Sequence, residues 1–358
     1  MKVVATAPAK LILLGEYAVV EGAPAVVAAV DRRVRVEIEE RAEGPWMLAS
    51  DAPGARPTAI ERTPDGRFVL EDGRSAREAE ATRLLACLLE VLGPARTADL
   101  PPLAVQIESA PLHAGPGGAK LGLGSSAAVA VALGGALRHL FPGAAAAGDR
   151  HARATAFAQD LEAHRRAQGG RGSAVDVAAS SFGGLFGYVR ANEREATAAR
   201  IEPLDWPAGL SFGVLWTGQP TRTADFLERW EAARHRRPRA LEAIPDRLAA
   251  LAEEGREAYE KADVDRILEV TEAYAEGLGA LGGAIEAPIL SPLHARLARL
   301  AKRNGVVYKP SGAGGGDVGV ALGTSHEAMA RTLEDAERAG CRALSLEVDR
   351  QGVTVLAR

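Results

Sequence analysis

The sequence predicts an α+β protein in two parts, the second with the element order of a ferredoxin-like sandwich. Three observations lead there. Short apolar strands alternate with amphipathic helices across the whole chain. From residue 212 onward the order is strand, helices, strand, strand, helix, strand. A length of 358 residues accommodates two domains of ordinary size.

The elements follow in order. Residues 2–7 and 9–14 are short and apolar, and 34–40 alternates as a half-buried strand does. Residues 50–75, with Pro, Gly, Asp and Arg but little periodicity, predict turns around a short strand at 68–70. Leu84, Leu85, Leu88 and Leu89 share one face of a helix over 76–92, and a strand follows at 103–107. A Gly/Pro loop at 113–120 leads to a long Ala/Val helix beginning near Ser126. A polar helix over 151–168 ends in Gln168-Gly169-Gly170-Arg171-Gly172-Ser173, and a short helix from about 176 leads to a strand at 185–190. Residues 192–209 read as a connector. Beyond it lie a strand at 212–216, helices over 223–235, 239–262, 265–281 and 291–303, and strands at 306–309 and 318–322. A helix over 326–338 and a final strand pair meeting at Gln351-Gly352 complete the chain.

Composition narrows the function classes. Hydrophobic residues make up 47% and charged residues 25%, the profile of a soluble globular protein. A formal net charge of −4 gives no global attraction to nucleic acid, so an anionic ligand must be held by local cations. Cys87 and Cys341 have neither disulfide-framework nor metal spacing. The N-terminus is too soon charged for a signal peptide, and no uncharged run is long enough to span a bilayer. These features lead to the expectation of a cytoplasmic protein with no nucleic-acid or membrane partner, as a monomer or homodimer.

Two glycine loops carry the chemistry. Gly122-Leu123-Gly124-Ser125-Ser126-Ala127 stands directly before an Ala-rich helix. Glycine permits close backbone approach, and a helix start offers unpaired N–H groups and partial positive charge, which together suit phosphate. A Ser hydroxyl there can also ligate the Mg2+ that accompanies a triphosphate. Ser125 or Ser126 could instead be a plain N-cap. A dinucleotide fingerprint fits the spacing Gly122-x-Gly124-x-x-Ala127, but the strand and the acidic residue which that motif requires are missing. No Lys follows the serines, so this is not a Walker A loop. The second loop, Lys309-Pro310-Ser311-Gly312-Ala313-Gly314-Gly315-Gly316-Asp317, spends four glycines on one turn. That density predicts close backbone approach to a bound ligand.

Taken with Ala7-Pro8-Ala9-Lys10-Leu11-Ile12-Leu13-Leu14-Gly15-Glu16-Tyr17-Ala18-Val19-Val20, these blocks resemble the GHMP small-molecule kinases, in the family's order and across nearly the whole chain. The resemblance implies the GHMP kinase fold: an N-terminal S5-like, ATP-binding domain with a left-handed β-α-β unit over 1–200, and a C-terminal ferredoxin-like domain over 201–358. It also implies ATP and Mg2+ as cofactors. The loop from Lys309, the stretch Ala163-His164-x-x-Ala167-Gln168-Gly169 with Gly172-Ser173-x-x-Asp176, and Trp216-Thr217-Gly218 are similar to the family's phosphomevalonate-phosphorylating branch. Thr221-Arg222-Thr223 and Ala174 depart from that branch. The implied acceptor is phosphomevalonate, with mevalonate as the alternative; a ligand sensor on the same fold is a third reading, disfavoured by the presence of both Lys10 and Asp176.

Site roles come from the residues and from this resemblance together. Lys10, a lysine in an apolar strand, is expected to neutralise charge on the nucleophile and the moving phosphoryl group. Asp176 is expected to orient Lys10 or act as base, and also fits a helix N-cap. Gly122, Leu123, Gly124, Ser125, Ser126, Ala127 and Lys120 are expected at the nucleotide, with Ser126 on the metal. Either Glu162 or His164 lies where a second metal ligand would come, and neither is assigned. Glu16, Tyr17, Arg171, Ser173, Thr221, Arg222, Thr223, Ser311, Gly312, Ala313 and Gly314 are expected at the acceptor. Arginine can grip a phosphate bidentately, and hydroxyls can donate to it.

Overall fold

The computed structural model describes residues 1–51, 55–62, 68–69, 76–93, 97, 100–114, 118–141, 150–170, 174–189, 199–236 and 243–357. The expectations at Arg171 and Ser173 lie outside these residues.

The strands are β1 (Lys2–Leu14), β2 (Ala25–Glu40), β3 (Trp46–Ser50), β4 (Thr58–Arg62), β5 (Phe68–Val69), β6 (Leu103–Glu108), β7 (His113–Ala114), β8 (Ala119–Lys120), β9 (Leu185–Val189), β10 (Arg200–Leu204), β11 (Ser211–Trp216), β12 (Val307–Ser311), β13 (Val318–Gly323), β14 (Arg342–Leu344) and β15 (Thr354–Ala357). The helices are α1 (Ala76–Leu92), α2 (Ser125–His139), α3 (Arg150–Ala167), α4 (Val175–Phe182), α5 (Thr223–Arg236), α6 (Ala243–Glu260), α7 (Val264–Ala284), α8 (Pro292–Arg303) and α9 (His326–Arg338).

Among the described residues, one sheet runs β10-β9-β2-β6-β3-β4-β5, with β1 beside β2 and β15 beside β1. Residues 2–14 form a single strand rather than two. Its register against β2 shifts between Pro8 and Ala9, where the strand passes its proline. The Ala-rich middle of α2 packs on this sheet with Ala127, Ala128, Val131 and Leu133 fully buried. Small residues there let helix and strands approach closely.

The second sheet has the order β12-β13-β11-β14, antiparallel throughout. In chain sequence this is second, third, first, fourth, the ferredoxin-like order. Two expectations near its ends need correction. The connector at 192–209 contains β10, which pairs with β9 in the first sheet. The final strands do not pair with each other: β14 joins β11, whereas β15 returns to β1 through Val3↔Ala357 to Thr6↔Thr354. Arg33 secures that return, with its guanidinium on the Asp349 carboxylate and on the carbonyls of Thr6 and Gly352. The expected domain ranges therefore share strands, since residues 200–204 and 354–357 belong to the first sheet.

Among the described residues no helix is long and apolar enough to cross a membrane. Cys87 and Cys341 are both free thiols.

Candidate active site

β1 and α4 meet in matched register. On α4, Asp176 and Ser180 are four residues apart and share a face, a span of about 6 Å. On β1, Pro8 and Lys10 are two apart on one face, a span of about 6.6 Å. Ser180 donates to the Pro8 carbonyl at 2.8 Å, so Asp176 falls opposite Lys10, with Oδ1 3.9 Å from Nζ. The Lys10 side chain is only 6% exposed, against 34% for Asp176. The main chain of Lys10 is also fixed, because its N–H donates to the Leu123 carbonyl at 3.0 Å. The nucleotide-type loop is thereby tied directly to the lysine strand.

The start of α2 carries no side-chain cap. Its N-cap is Gly124, left-handed at φ 81, and Ser125 and Ser126 lie inside the first turn. The plain N-cap reading of the serines is therefore set aside, and the first-turn N–H groups face the site without a competing side-chain oxygen. A Cβ on Gly124 would lie 3.2 Å from Lys10 Cγ and 3.4 Å from Asp176 Oδ2, so a side chain there would intrude between them. Asp176 is not an N-cap either: it lies in the first turn of α4, behind Ala174 at φ 72. Tyr17, at φ 62, is also in this strained region. Both Ala174 and Tyr17 line the same cavity.

Packing between α2 and α3 brings one further residue to the site. Arg138 and buried Asp160 form a bidentate pair at 2.7 Å, and one turn later His164 Nε2 lies 3.2 Å from Ser126 Oγ. Burial holds the His164 imidazole below its ordinary pKa, against the opposing pull of Asp176 and Glu80. Glu162 points elsewhere, half-exposed and paired with Arg166. Of the two residues left unassigned by sequence, His164 is the one at the serines.

The carboxyl-terminal loop folds against the first one. A Cβ on Gly122 would overlap Asp317 Cβ, so the two loops touch. Thr221 N–H donates to Asp317 Oδ1 at 3.1 Å. The expectation that this loop's glycines all serve a ligand is corrected. A Cβ at 314, 315 or 316 would collide with Ile289, Phe226 or the Gln219 carbonyl, and only at Gly312 would it point toward the site, 4.0 Å from Lys10 Nζ. Beneath the loop, buried His294 donates from Nε2 to the Gly316 carbonyl at 2.9 Å and accepts from Tyr308 through Nδ1 at 2.8 Å. Burial pushes its pKa down to about 4, which keeps the ring neutral and the arrangement fixed.

Burial raises the Asp317 carboxyl to about 6, from an ordinary 3.8. Between those values the folded protein holds the proton and the unfolded chain releases it. The contribution of Asp317 to stability therefore falls as pH rises through that window. Asp317→Asn keeps the acceptor for Thr221 N–H and removes this dependence. Thermal melts should show the variant gaining stability relative to the wild type as pH rises from about 4 to 7; a constant difference would contradict the assignment.

Two cavities flank His164. One, of about 590 Å³ including its open mouth, is walled by Leu84, Ile107 and Val129, with Lys120, Ser125 and Ser126 also in its lining. Lys120 there pairs with Glu80 at 3.2 Å. The other, of about 770 Å³ including its mouth, is lined by Lys10, Glu16, Tyr17, Arg165, Asp176 and Thr223, with Gly312 and Ala313 on its floor. Tyr17 Oη donates to the Ala313 carbonyl at 2.5 Å.

Three expected acceptor residues are placed otherwise. Ser311 Oγ is engaged by Ile12, accepting from its N–H at 3.0 Å and donating to its carbonyl at 2.9 Å. Arg222 is 83% exposed, 3.9 Å from Asp225, and lines neither cavity. Thr221 meets Asp317 rather than the cavity.

Behind the second cavity is a feature the sequence did not reveal: a fully buried ion pair between Glu16 and Lys309. Burial lowers the Lys309 pKa, and Glu16 opposes that shift. The apolar run Val306-Val307-Tyr308 leading into Lys309 was the signal available, of the same kind as the one that marked Lys10.

Comparison with known proteins places this geometry. A family model described as the GHMP kinases N terminal domain matches residues 81–184. The chain is 31% identical over 350 residues to a phosphomevalonate kinase of Streptomyces sp. (strain CL190), covering 89% of each chain. It is 28% identical over 354 residues to a mevalonate kinase of Aeropyrum pernix, covering 97% of this chain and 96% of the relative. Among solved structures, the Lin0012 protein of Listeria innocua superposes with a TM-score of 0.83 at 25% identity over 100% of both chains. The Streptococcus pneumoniae phosphomevalonate kinase in complex with phosphomevalonate and AMPPNP gives a TM-score of 0.77 at 21% identity, over 96% of this chain and 99% of that one.

Proposed function

The chain belongs to the GHMP kinases, ATP-dependent enzymes that phosphorylate small molecules, and on that footing we propose that it converts (R)-5-phosphomevalonate to the 5-diphosphate. The charge of the second cavity carries this reading. Lys10 and Arg165 line it, as do the carboxylates of Asp176 and Glu16, and Lys309 stands behind Glu16 as a third cation. The charge of Glu16 is thus cancelled from outside, so an anionic acceptor entering the cavity meets the Lys10 and Arg165 side chains without net repulsion from Glu16. Similarity to a phosphomevalonate kinase over 89% of the chain supports the same choice.

In this reading the uncapped start of α2, with Gly122 to Ala127, holds the ATP phosphates, and the apolar cavity beyond Ser126 takes the base. An acceptor phosphate oxygen attacks the γ-phosphorus as the bond to the β–γ bridging oxygen breaks, and ADP leaves. Lys10 stabilises the charge spread over the transferring group. Ser126 Oγ and the Asp176 carboxylate are hard oxygen donors, and no cluster of three acidic, His or Cys groups occurs among the described residues. That set fits Mg2+ held by one or two protein oxygens together with the nucleotide. When bound, the ion neutralises phosphate charge.

A phosphomonoester has its second pKa near 6, so at neutral pH it is already an anionic nucleophile that needs no base. Asp176 then orients Lys10 and the metal. Asp176→Asn should lower kcat on phosphomevalonate by no more than about 10²-fold, since base catalysis worth about 10²–10⁴ is not in use. Complete loss of turnover would count against this role.

The mevalonate-kinase relatives favour a second reading, with a hydroxyl as nucleophile and Asp176 as its base. ADP release with mevalonate, phosphomevalonate, galactose and homoserine separates the two. Phosphomevalonate alone should support turnover, and turnover on mevalonate alone would overturn the acceptor while leaving the family intact.

A further inference from the structure

A third cavity lies away from the catalytic residues. Along the β9–β10 hairpin the pairs Phe186↔Pro203 and Tyr188↔Ile201 alternate with Gly187↔Glu202, so the hairpin has two unlike faces. The Glu202 face meets α6, where its carboxylate pairs with Arg256 at 3.2 Å. The opposite face, with Phe186, Ile201 and Pro203, is the floor of a cavity of about 1830 Å³ including its mouth. Arg153 and Phe157 of α3 and Phe182 of α4 form its walls, and Val348 and Arg350 close it from the carboxyl-terminal segment. None of its lining residues lines the nucleotide or the acceptor cavity.

The lining is selective in a chain poor in aromatics. Three of the seven phenylalanines and one of the four tryptophans, Trp206, meet here. Their rings are held by contacts already made. Phe157 and Phe182 lie 5.3 Å apart, and Trp206 packs on Phe212 at 4.9 Å while its Nε1 donates to the Leu210 carbonyl at 2.7 Å. Fixed aromatic walls with a few charged groups are the make-up of a small-molecule site. The charged groups are Arg153, Asp205 and Arg350. Arg153 is engaged, with its guanidinium 5.4 Å from the centre of the Phe182 ring and Nη2 3.5 Å from the Phe182 carbonyl. Arg350 and Asp205 are exposed, and neither forms an ion pair among the described residues. Two cations against one carboxylate leave the lining positive.

We propose that this cavity is a second ligand site, separate from the catalytic one, for a small molecule with an apolar body and one acidic head group. The body lies against the aromatic rings and the head meets Arg350. The site goes beyond the acceptor reading and does not depend on it. Its place in the fold gives it a role. Phe182 ends α4, whose first turn carries Asp176 and whose Ser180 holds the Pro8 carbonyl of the Lys10 strand. Eight residues of helix, about 12 Å, join the two sites. A body pressed against Phe182 displaces that helix, so the bound ligand lowers turnover without competing with either substrate.

The probe is 8-anilinonaphthalene-1-sulfonate, an aromatic body with one acidic group, titrated by fluorescence. AMPPNP and whichever acceptor the enzyme turns over are present at saturation, so that both catalytic cavities are filled. Wild type should bind one probe per chain with a Kd of about 10–100 µM. Arg350→Glu reverses an exposed charge that the fold does not use, and should weaken binding by about 10-fold or more. Ile201→Trp fills the cavity from its floor and should abolish binding. Decanoate should displace the probe, whereas 1-decanol at the same concentration should not. Saturating decanoate should lower wild-type kcat by about 5-fold with KM for ATP unchanged, and Ile201→Trp should be insensitive to it. Absence of binding, or binding undiminished in either variant, would overturn the site. Equal displacement by decanol would overturn the acidic head, and an unchanged kcat would overturn the role given to α4.

Discussion

Lys10→Met should lower kcat by about 10³-fold or more, the scale seen when a charge-stabilising group is removed from phosphoryl or acyl transfer. KM for ATP should move little, because the main-chain N–H of residue 10 still ties to the Leu123 carbonyl. The methionine stem keeps the packing under Gly124 that the lysine stem provides. Asp176 is a third exposed, so losing its partner leaves no deeply buried charge, and the melting temperature should hold. Steady-state kinetics and a thermal melt check both halves. A variant that retained a tenth of wild-type kcat would remove Lys10 from the chemistry.

Gly122→Ala should raise KM for ATP by about 10²-fold and depress kcat with it. Two costs act together. Residue 122 has φ 80, where a side chain costs about 1–2 kcal/mol. The added methyl would also overlap Asp317 Cβ, so one of the two loops must move. Asp317→Gly in the same chain removes the obstructing atoms but not the backbone strain. It should therefore restore part of the affinity, leaving a deficit of about 10-fold. Nucleotide titration of the two variants measures the difference. An absence of rescue would show that the loops do not constrain each other.

What the sequence disclosed was local, and the reason is physical. The phosphate-holding capacity of Gly122 to Ala127 comes from backbone N–H groups at one helix start, which adjacent residues encode completely. Lys10 was legible because a charged residue in an apolar strand needs a reason to be there. The second sheet was legible because its element order alone implies the strand order. Long-range pairings were not. Glu16 and Lys309 are 293 residues apart, and neither predicts the other without the fold that brings β12 beside β1. The return of β15 to β1 spans a similar distance, and nothing in residues 351–358 distinguishes it from a local hairpin. His164 reaches Ser126 only because Arg138 and Asp160 fix the packing of α2 on α3.

Misassignments also had a common cause. Ser311 ends β12 and Arg222 lies in the loop before α5, both in stretches of the right composition, but composition does not say which way a side chain faces. The Ser311 hydroxyl is consumed by Ile12, and Arg222 turns to solvent. In sequence the glycines at 314–316 suggest room for a ligand, whereas the room is taken by Ile289, Phe226 and Gln219. A dense glycine run reports close approach without naming what approaches.

The acceptor is the central claim, and one competition measures it. The enzyme is given ATP with equal amounts of unlabelled (R)-5-phosphomevalonate and carbon-13-labelled (R)-mevalonate, and the products are read by mass spectrometry. Unlabelled 5-diphosphomevalonate should accumulate while the labelled mevalonate remains unphosphorylated. Labelled 5-phosphomevalonate as the main product would contradict the account and identify a hydroxyl as the nucleophile.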